Sequence, residues 1–183
     1  MKTLVVVHPG SLFGSADFSV GKRAALECRS RIMEEIARHQ GNLIVIDGFL
    51  SDEISDEFED VIQTGLSNAI TCASRTGKLG TFTALRVWGC DGGERPFEGW
   101  HGFGNCTQPM VFSDQEQAAE YISKYLTSNE IVVTGAWATE HGKWGCVNSV
   151  ADVFRSRLPS ASVRVSEDAL FEGGGLISSS LNM

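Results

Sequence analysis

Glu130-Ile-Val-Val-Thr-Gly135-Ala-Trp137, a loop to Gly145-Cys146-Val147, and Ser162-Val-Arg-Val-Ser-Glu-Asp-Ala-Leu170 frame the stretch that decides the fold. An apolar run broken by a glycine reads as a buried strand ending in a turn. Beyond the loop, Val147, Val150, Ala151, Phe154 and Leu158 recur at helical spacing, and Pro159 stops the helix. Val163 and Val165 then alternate with polar neighbours, as in a second strand. The unit is strand, helix, strand, with Cys146 in the first turn of its helix. A thiol there meets the positive end of the helix dipole, which favours the thiolate. The plainer reading is a small, inert, half-apolar residue, the usual fate of a free cysteine.

Composition narrows the classes. A chain of 183 residues, 42% hydrophobic and 21% charged, has the make-up of one ordinary globular domain. Residues 1–183 are therefore read as a single α/β domain. A net charge of -8 argues against nucleic acid or an anionic membrane as the main partner. No apolar run reaches the length of a membrane span, and Met1-Lys-Thr-Leu-Val-Val-Val-His8 is too short for a secretory leader. The five cysteines (Cys28, Cys72, Cys90, Cys106 and Cys146) form no C-x-x-C pair. Reduced thiols in a cytoplasm are expected, with neither a zinc knuckle nor a redox motif.

The other segments fit the same pattern. Thr3 to Val7 is a buried strand followed by the loop His8-Pro-Gly-Ser-Leu-Phe-Gly-Ser15. Ala25, Cys28, Ile32, Ile36 and Ala37 stripe a helix that Gly41 would close. Asn42 to Ile46 is a second buried strand ending in Asp47-Gly-Phe. Phe58 through Ala73 supplies a helix, and Phe82 to Trp88 a third strand. Gly89 to Pro109, with six glycines, three aromatics and two cysteines, is a long loop of the kind that more often works than idles. Ser113-Asp-Gln-Glu116 reads as a capping box opening a helix with Ala118, Tyr121, Ile122, Tyr125 and Leu126 on one face. Residues 172–183 carry no strong pattern and read as a flexible tail.

Alternating strands and helices predict a three-layer α/β/α architecture with a mostly parallel, Rossmann-like sheet. Ligands of such sheets bind beyond the carboxyl ends of the strands. His8, Asp47 and the Trp137 to Cys146 loop are the candidates there. His8 through Lys22 could also form a phosphate cradle, although it matches no phosphate-binding motif. Trp88, Trp100, Trp137 and Trp144 lie at or beyond strand ends. They would suit the walls of a pocket for a ring-shaped ligand, or an interface between copies of the chain.

From Leu43 onward the order of parts resembles the isochorismatase-like cysteine hydrolases, which include nicotinamidases. Leu43-Ile-Val-Ile-Asp47 is similar to that family's first strand and its aspartate. Ile131-Val-Val-Thr-Gly135, Cys146-Val147, Asp152 and Val163 to Ala169 are similar to its nucleophile segment. The resemblance implies a thiolate attacking a small amide or related carbonyl compound, with an aspartate moving the proton and backbone N–H groups holding the oxyanion. Carried over, Cys146 is the nucleophile, Asp47 the base, and Gly145 with Cys146 the oxyanion donors. The first forty-one residues would then be an added strand–helix unit.

The family's lysine has no counterpart in Gly104-Asn-Cys-Thr-Gln-Pro-Met110, and Lys143 is the substitute at hand. The loop Ala138 to Gly145 is also longer than the family's tight connection. Without a cation, a buried Asp47 would hold its proton and serve poorly as a base. Asp91 and His101, with Cys90, Glu94 and Cys106 nearby, make no recognisable metal set, so no metal or other cofactor is expected.

Two function classes follow. One is a hydrolase using Cys146, with His8, Trp88, Trp100, Trp137 and Gly145 around its small-molecule substrate. The other is a non-catalytic protein of the same fold that binds a small molecule or a protein. A further alternative turns on strand order: were the first strand central, His8 rather than Asp47 would face Cys146.

Overall fold

A computed structural model describes residues 1–9, 21–47, 72–73, 75–87, 111–140 and 143–171. Strand β1 (Lys2–Val7) leads to helix α1 (Lys22–Arg38) and strand β2 (Gly41–Asp47). Strands β3 (Leu79–Val87) and β4 (Val111–Phe112), helix α2 (Gln115–Ser123) and strand β5 (Glu130–Gly135) follow. A small hairpin, β6 (Thr139–Glu140) and β7 (Lys143–Trp144), precedes helix α3 (Cys146–Arg157) and strand β8 (Ser162–Val165). Six strands form one sheet in the order β4-β3-β2-β1-β5-β8, every neighbour parallel.

Strand alternation divides the core into two layers. Leu4 and Val6 of β1, Leu43 and Val45 of β2 and Val132 of β5 meet Ala25, Cys28, Ile32 and Ile36 of α1. Val5, Val7, Ile44, Ile46, Ile131 and Val133 face the other way, onto Ala118 and Ile122 of α2 and Val147, Val150, Ala151 and Phe154 of α3. Both faces of the central strands are therefore covered, which is why they read as unbroken apolar runs. Each such side chain removed from water contributes about 1.5–3 kcal/mol. The expected α/β/α layering is the fold observed.

The structure revises the sequence reading in several places. The opening strand and helix are integral rather than added: β1 lies between β2 and β5, with Leu4 to Val7 fully buried. Gly41 does not close α1. That helix ends at Arg38 with His39 as its cap, and Gly41 begins β2, donating to the Lys78 carbonyl at 2.9 Å. The cap of α2 is Asp114, whose carboxylate takes the Gln117 N–H at 2.7 Å, and Ser113 lies one position outside. Aspartate here satisfies an orphan donor and complements the dipole as well. Tyr125 falls beyond the end of α2 and is 65% exposed, so it takes no part in the buried face.

Two short elements went unforeseen, β4 and the β6–β7 hairpin. In the hairpin Thr139 pairs with Trp144 and Glu140 with Lys143. The body of the Phe58 to Ala73 helix lies outside the described residues, while Cys72, Ala73 and Arg75 are helical. The tail from residue 172 is also outside them. Among the described residues no helix is long and apolar enough to cross a membrane.

Candidate functional site at the β1–β5 switch point

Chain order reverses between β1 and β5: β2, β3 and β4 build outward on one side, β5 and β8 on the other. Such a reversal opens a crevice outside the carboxyl ends of the two strands, where ligands of open parallel sheets bind. Val7 pairs with Gly135 at that edge, so His8 and Ala136 are the first residues beyond it. The structure thus answers the question of strand order. His8, and not Asp47, stands at the end of the strand beside the one that leads to Cys146. Asp47 ends the next strand out, paired with Arg86 of β3.

The edge is held by main-chain bonds. His8 N–H donates to Ile46 O at 2.7 Å, Ala136 N–H to Val7 O at 3.0 Å and Leu170 N–H to Gly135 O at 2.9 Å. Ala138 N–H then reaches back to Leu170 O at 2.8 Å. Gly135 has φ 129, and a Cβ there would fall inside the van der Waals shell of the Val7 carbonyl oxygen. Glycine is required on both counts.

Two side-chain-bearing residues of the described chain have left-handed backbones, and both lie here: His8 at φ 47 and Trp137 at φ 69. Histidine is among the residues that enter this region with some frequency, but a bulky residue there is a genuine outlier. Such positions cost about 1–3 kcal/mol each and cluster at ligand clamps and active sites. Both side chains are half-buried. Trp137 packs against the α1-side core. On that same side Thr134, one residue before the strand end, buries its hydroxyl completely, with no hydrogen-bond partner among the described residues.

The helix that follows is clamped to the loop. Trp137 O accepts from Val147 N–H at 3.2 Å and Ala138 O from Gly145 N–H at 3.0 Å, while the buried Asn148 amide also donates to Ala138 O. Gly145 is buried, and a Cβ on it would collide with the Trp137 carbonyl. Its N–H, expected as an oxyanion donor, is therefore already committed to Ala138. Cys146 is the first helical residue, a free thiol, half-buried against the α3-side core. Trp137 and Cys146 accordingly pack against the cores on opposite faces of the sheet.

Of the other expected site residues, Trp88 and Trp100 lie outside the described residues, as do the Gly10 to Ser15 loop, Asp91, Cys90, Glu94, His101 and Cys106. Asp47 and Lys143 are placed by their backbones alone, on β2 and β7. Among the described residues no group of three or more His, Cys, Asp or Glu could hold a metal ion. Sequence reasoning missed Thr134. Its signal was available, a lone hydroxyl in the otherwise apolar strand Ile131-Val-Val-Thr134.

No protein-family model matches the chain, and no curated protein does. Among solved structures it is similar to the universal stress protein UspA from Lactobacillus plantarum, at 14% identity over 90% of this chain and 96% of that one, with a TM-score of 0.32. A likeness this remote carries no functional argument. The class of protein, a doubly wound parallel α/β fold, stands on its sheet order and layers.

Proposed function

We propose that this α/β protein binds a small, ring-shaped molecule in the crevice between the carboxyl ends of β1 and β5, with His8 and Trp137 as its principal contacts. The observation that carries this reading is the coincidence of the two left-handed, side-chain-bearing residues with the switch point. A glycine at either position would remove the backbone cost. Retaining histidine and tryptophan there favours a use for an imidazole and an indole at those places. Indole offers a flat apolar wall, imidazole a donor or an acceptor, the mixture typical of small-molecule sites.

Intrinsic fluorescence titrated with benzamide, nicotinamide and adenosine tests the idea. Saturable quenching that disappears in Trp137→Leu supports it. No saturable change with any of the three, or quenching that persists in the variant, overturns it.

The second reading is hydrolysis of a small amide or related carbonyl compound through Cys146. It is favoured by the thiol's place as the first residue of a 12-residue helix directly after the switch-point loop. Attack by the thiolate forms a C–S bond and breaks the amide C–N bond, the amine leaving with the proton the base took from the thiol and water then hydrolysing the thioester. His8, at the end of the strand beside β5, is the base this reading takes. The committed Gly145 N–H weighs against it. Selective alkylation of Cys146 by iodoacetamide, faster than the exposed Cys72, is its first requirement, and equal or slower reaction removes it. These two tests fail independently, since one reads the α1 side of the loop and the other the α3 side.

A further inference from the structure

The turn that follows β8 ties helix α1 to the switch-point loop. Cys28, Arg31 and Glu35 fall at i, i+3 and i+7 of α1 and so share one face of that helix. All three reach the turn. The Cys28 thiol donates to the Asp168 carbonyl at 3.2 Å, and Arg31, which also holds Glu27 at 2.6 Å, donates to Asp168 Oδ1 at 3.3 Å. The Ser166 hydroxyl donates to Glu35 Oε2 at 3.3 Å and accepts the Asp168 N–H at 3.2 Å. Burial and then the Asp168 charge push the Glu35 carboxyl above its ordinary range, and the Ser166 bond, with Arg164 and Lys2, offsets part of that. The N–H, the carbonyl and the carboxylate of Asp168 are thus all engaged. Ser166 is buried, so removing its hydroxyl leaves the Asp168 N–H short of a partner away from water.

Two residues on, the same turn sets the path of the loop. In an extended strand the N–H groups of residues 136 and 138 would point to the same side. Here Ala136 donates to Val7 of β1, and Ala138 donates to Leu170 on the other side, at 2.8 Å. The reversal is made by the residue between them, Trp137, at φ 69. Leu170 also donates to Gly135 O, so its two main-chain bonds bracket the tryptophan. The side chains repeat the connection. Cys28, Ala136 and Leu170 are fully buried in one cluster, and Trp137 packs on it.

We propose that Ser166 and Asp168 are positioning residues of the switch-point site: anchored on the polar face of α1, they fix Leu170 and, through it, the indole of Trp137. The proposal rests on the reading of that crevice as a ligand site, and it adds α1 as the element that holds the crevice wall from outside. Neither residue touches the ligand. Substitutions that act through such contiguous contacts change affinity by roughly three- to thirtyfold.

Fluorine NMR of the full chain labelled with fluorotryptophan reads the indole directly, the Trp137 resonance being the one lost in Trp137→Leu. The expected result is a moved or split Trp137 resonance in both Ser166→Ala and Asp168→Ala. Ser166→Thr, which keeps the hydroxyl, should restore the wild-type position. Ile122→Ala, which opens a cavity on the other face of the sheet without touching the turn, should leave the resonance where it was. Binding of the ring probes should weaken roughly three- to thirtyfold in Ser166→Ala and recover in Ser166→Thr. A resonance unmoved in both turn variants, or moved as far in Ile122→Ala, overturns the proposal. So does a moved resonance with unchanged probe affinity. If the wild type binds no probe, the crevice reading fails by itself, and the fluorine resonance still decides whether the turn holds the indole.

Discussion

The two edges of the central strand pair are built from different materials. At the carboxyl edge the chain is fixed by carbonyls and N–H groups, closely approached glycines and two left-handed residues. At the amino edge the same strands begin at Lys2 and Glu130, whose partly exposed side chains pair at 3.4 Å. Main-chain closure tolerates almost no added atom. Side-chain closure tolerates substitution but answers to pH. The carboxyl edge is thus suited to presenting a ligand with fixed geometry.

The largest expected effect breaks the first edge. Gly135→Ala forces a Cβ against the Val7 carbonyl in a backbone that alanine resists, and should lower stability by about 3 kcal/mol or more. Urea unfolding measures it, and a loss below about 1 kcal/mol would show that the strand ends can separate freely. Thr134→Val should act in the opposite direction. Removing an unpartnered buried hydroxyl is expected to raise stability by about 1 kcal/mol, on the scale of the desolvation it relieves. Any accompanying loss of quenching by the ring probes would place that hydroxyl in the site.

Trp137→Gly isolates strain from packing. The relief of a left-handed backbone, about 1–2 kcal/mol, offsets the lost burial of a half-covered indole, so stability should stay within about 1 kcal/mol of wild type. Probe binding should disappear all the same.

Along α1 and its cap the effects are smaller and depend on pH. Arg31→Ala removes a partly exposed pair of contacts worth about 0–1 kcal/mol. Glu35 is held above its ordinary range, so its fold-stabilising protonated form is present at low pH and its contribution is lost as pH rises through the folded value. Glu35→Gln should therefore raise the melting temperature at pH 7, with the gain vanishing at low pH. Buried His39 has the opposite sign. Burial lowers its pKa, and its neutral ring hydrogen-bonds the Asn42 carbonyl at 2.8 Å. Stability should fall as pH drops through the ordinary histidine range, a slope that His39→Gln flattens.

The layers of the fold were legible because each core strand is a continuous apolar run and each core helix repeats at its own period. Ala25, Cys28, Ile32 and Ile36 on α1, and Val147, Val150, Ala151 and Phe154 on α3, are buried as their spacing predicts. Strand order was not legible. Leu4 to Val7 and Leu43 to Ile46 carry nearly the same local signal, and only pairing with β5 makes the first of them central. β4 is two residues long, too short for alternation to register. The hairpin had a signal in retrospect, two strand pairs separated by the dipeptide His141-Gly142. Cys146 was placed correctly at the head of its helix. The left-handed backbone of Trp137 leaves no trace in composition, since it follows from the loop's bonds to Leu170, Gly145 and Val147. Cys28 shows the reverse case. Burial and the nearby Asp168 charge push its thiol up to about 12 while it donates to the Asp168 carbonyl at 3.2 Å, so it should be the last of the described thiols to alkylate in the folded protein.

The central place of β1 also has a consequence for how the chain reaches this state. Its pairing with β2 needs only the α1 crossover, but its other neighbour arrives late in the sequence. The buried Thr3–Ser128 hydroxyl contact closes a separation of 125 residues. During synthesis β1 is made before β5 and waits, one edge unpaired, until β5 emerges. Contacts of such separation fold slowly, and an unpaired apolar edge invites pairing with other chains. The same arrangement that sets His8 beside Gly135 in the finished protein leaves β1 with an open edge in the growing chain until its fifth strand is in place.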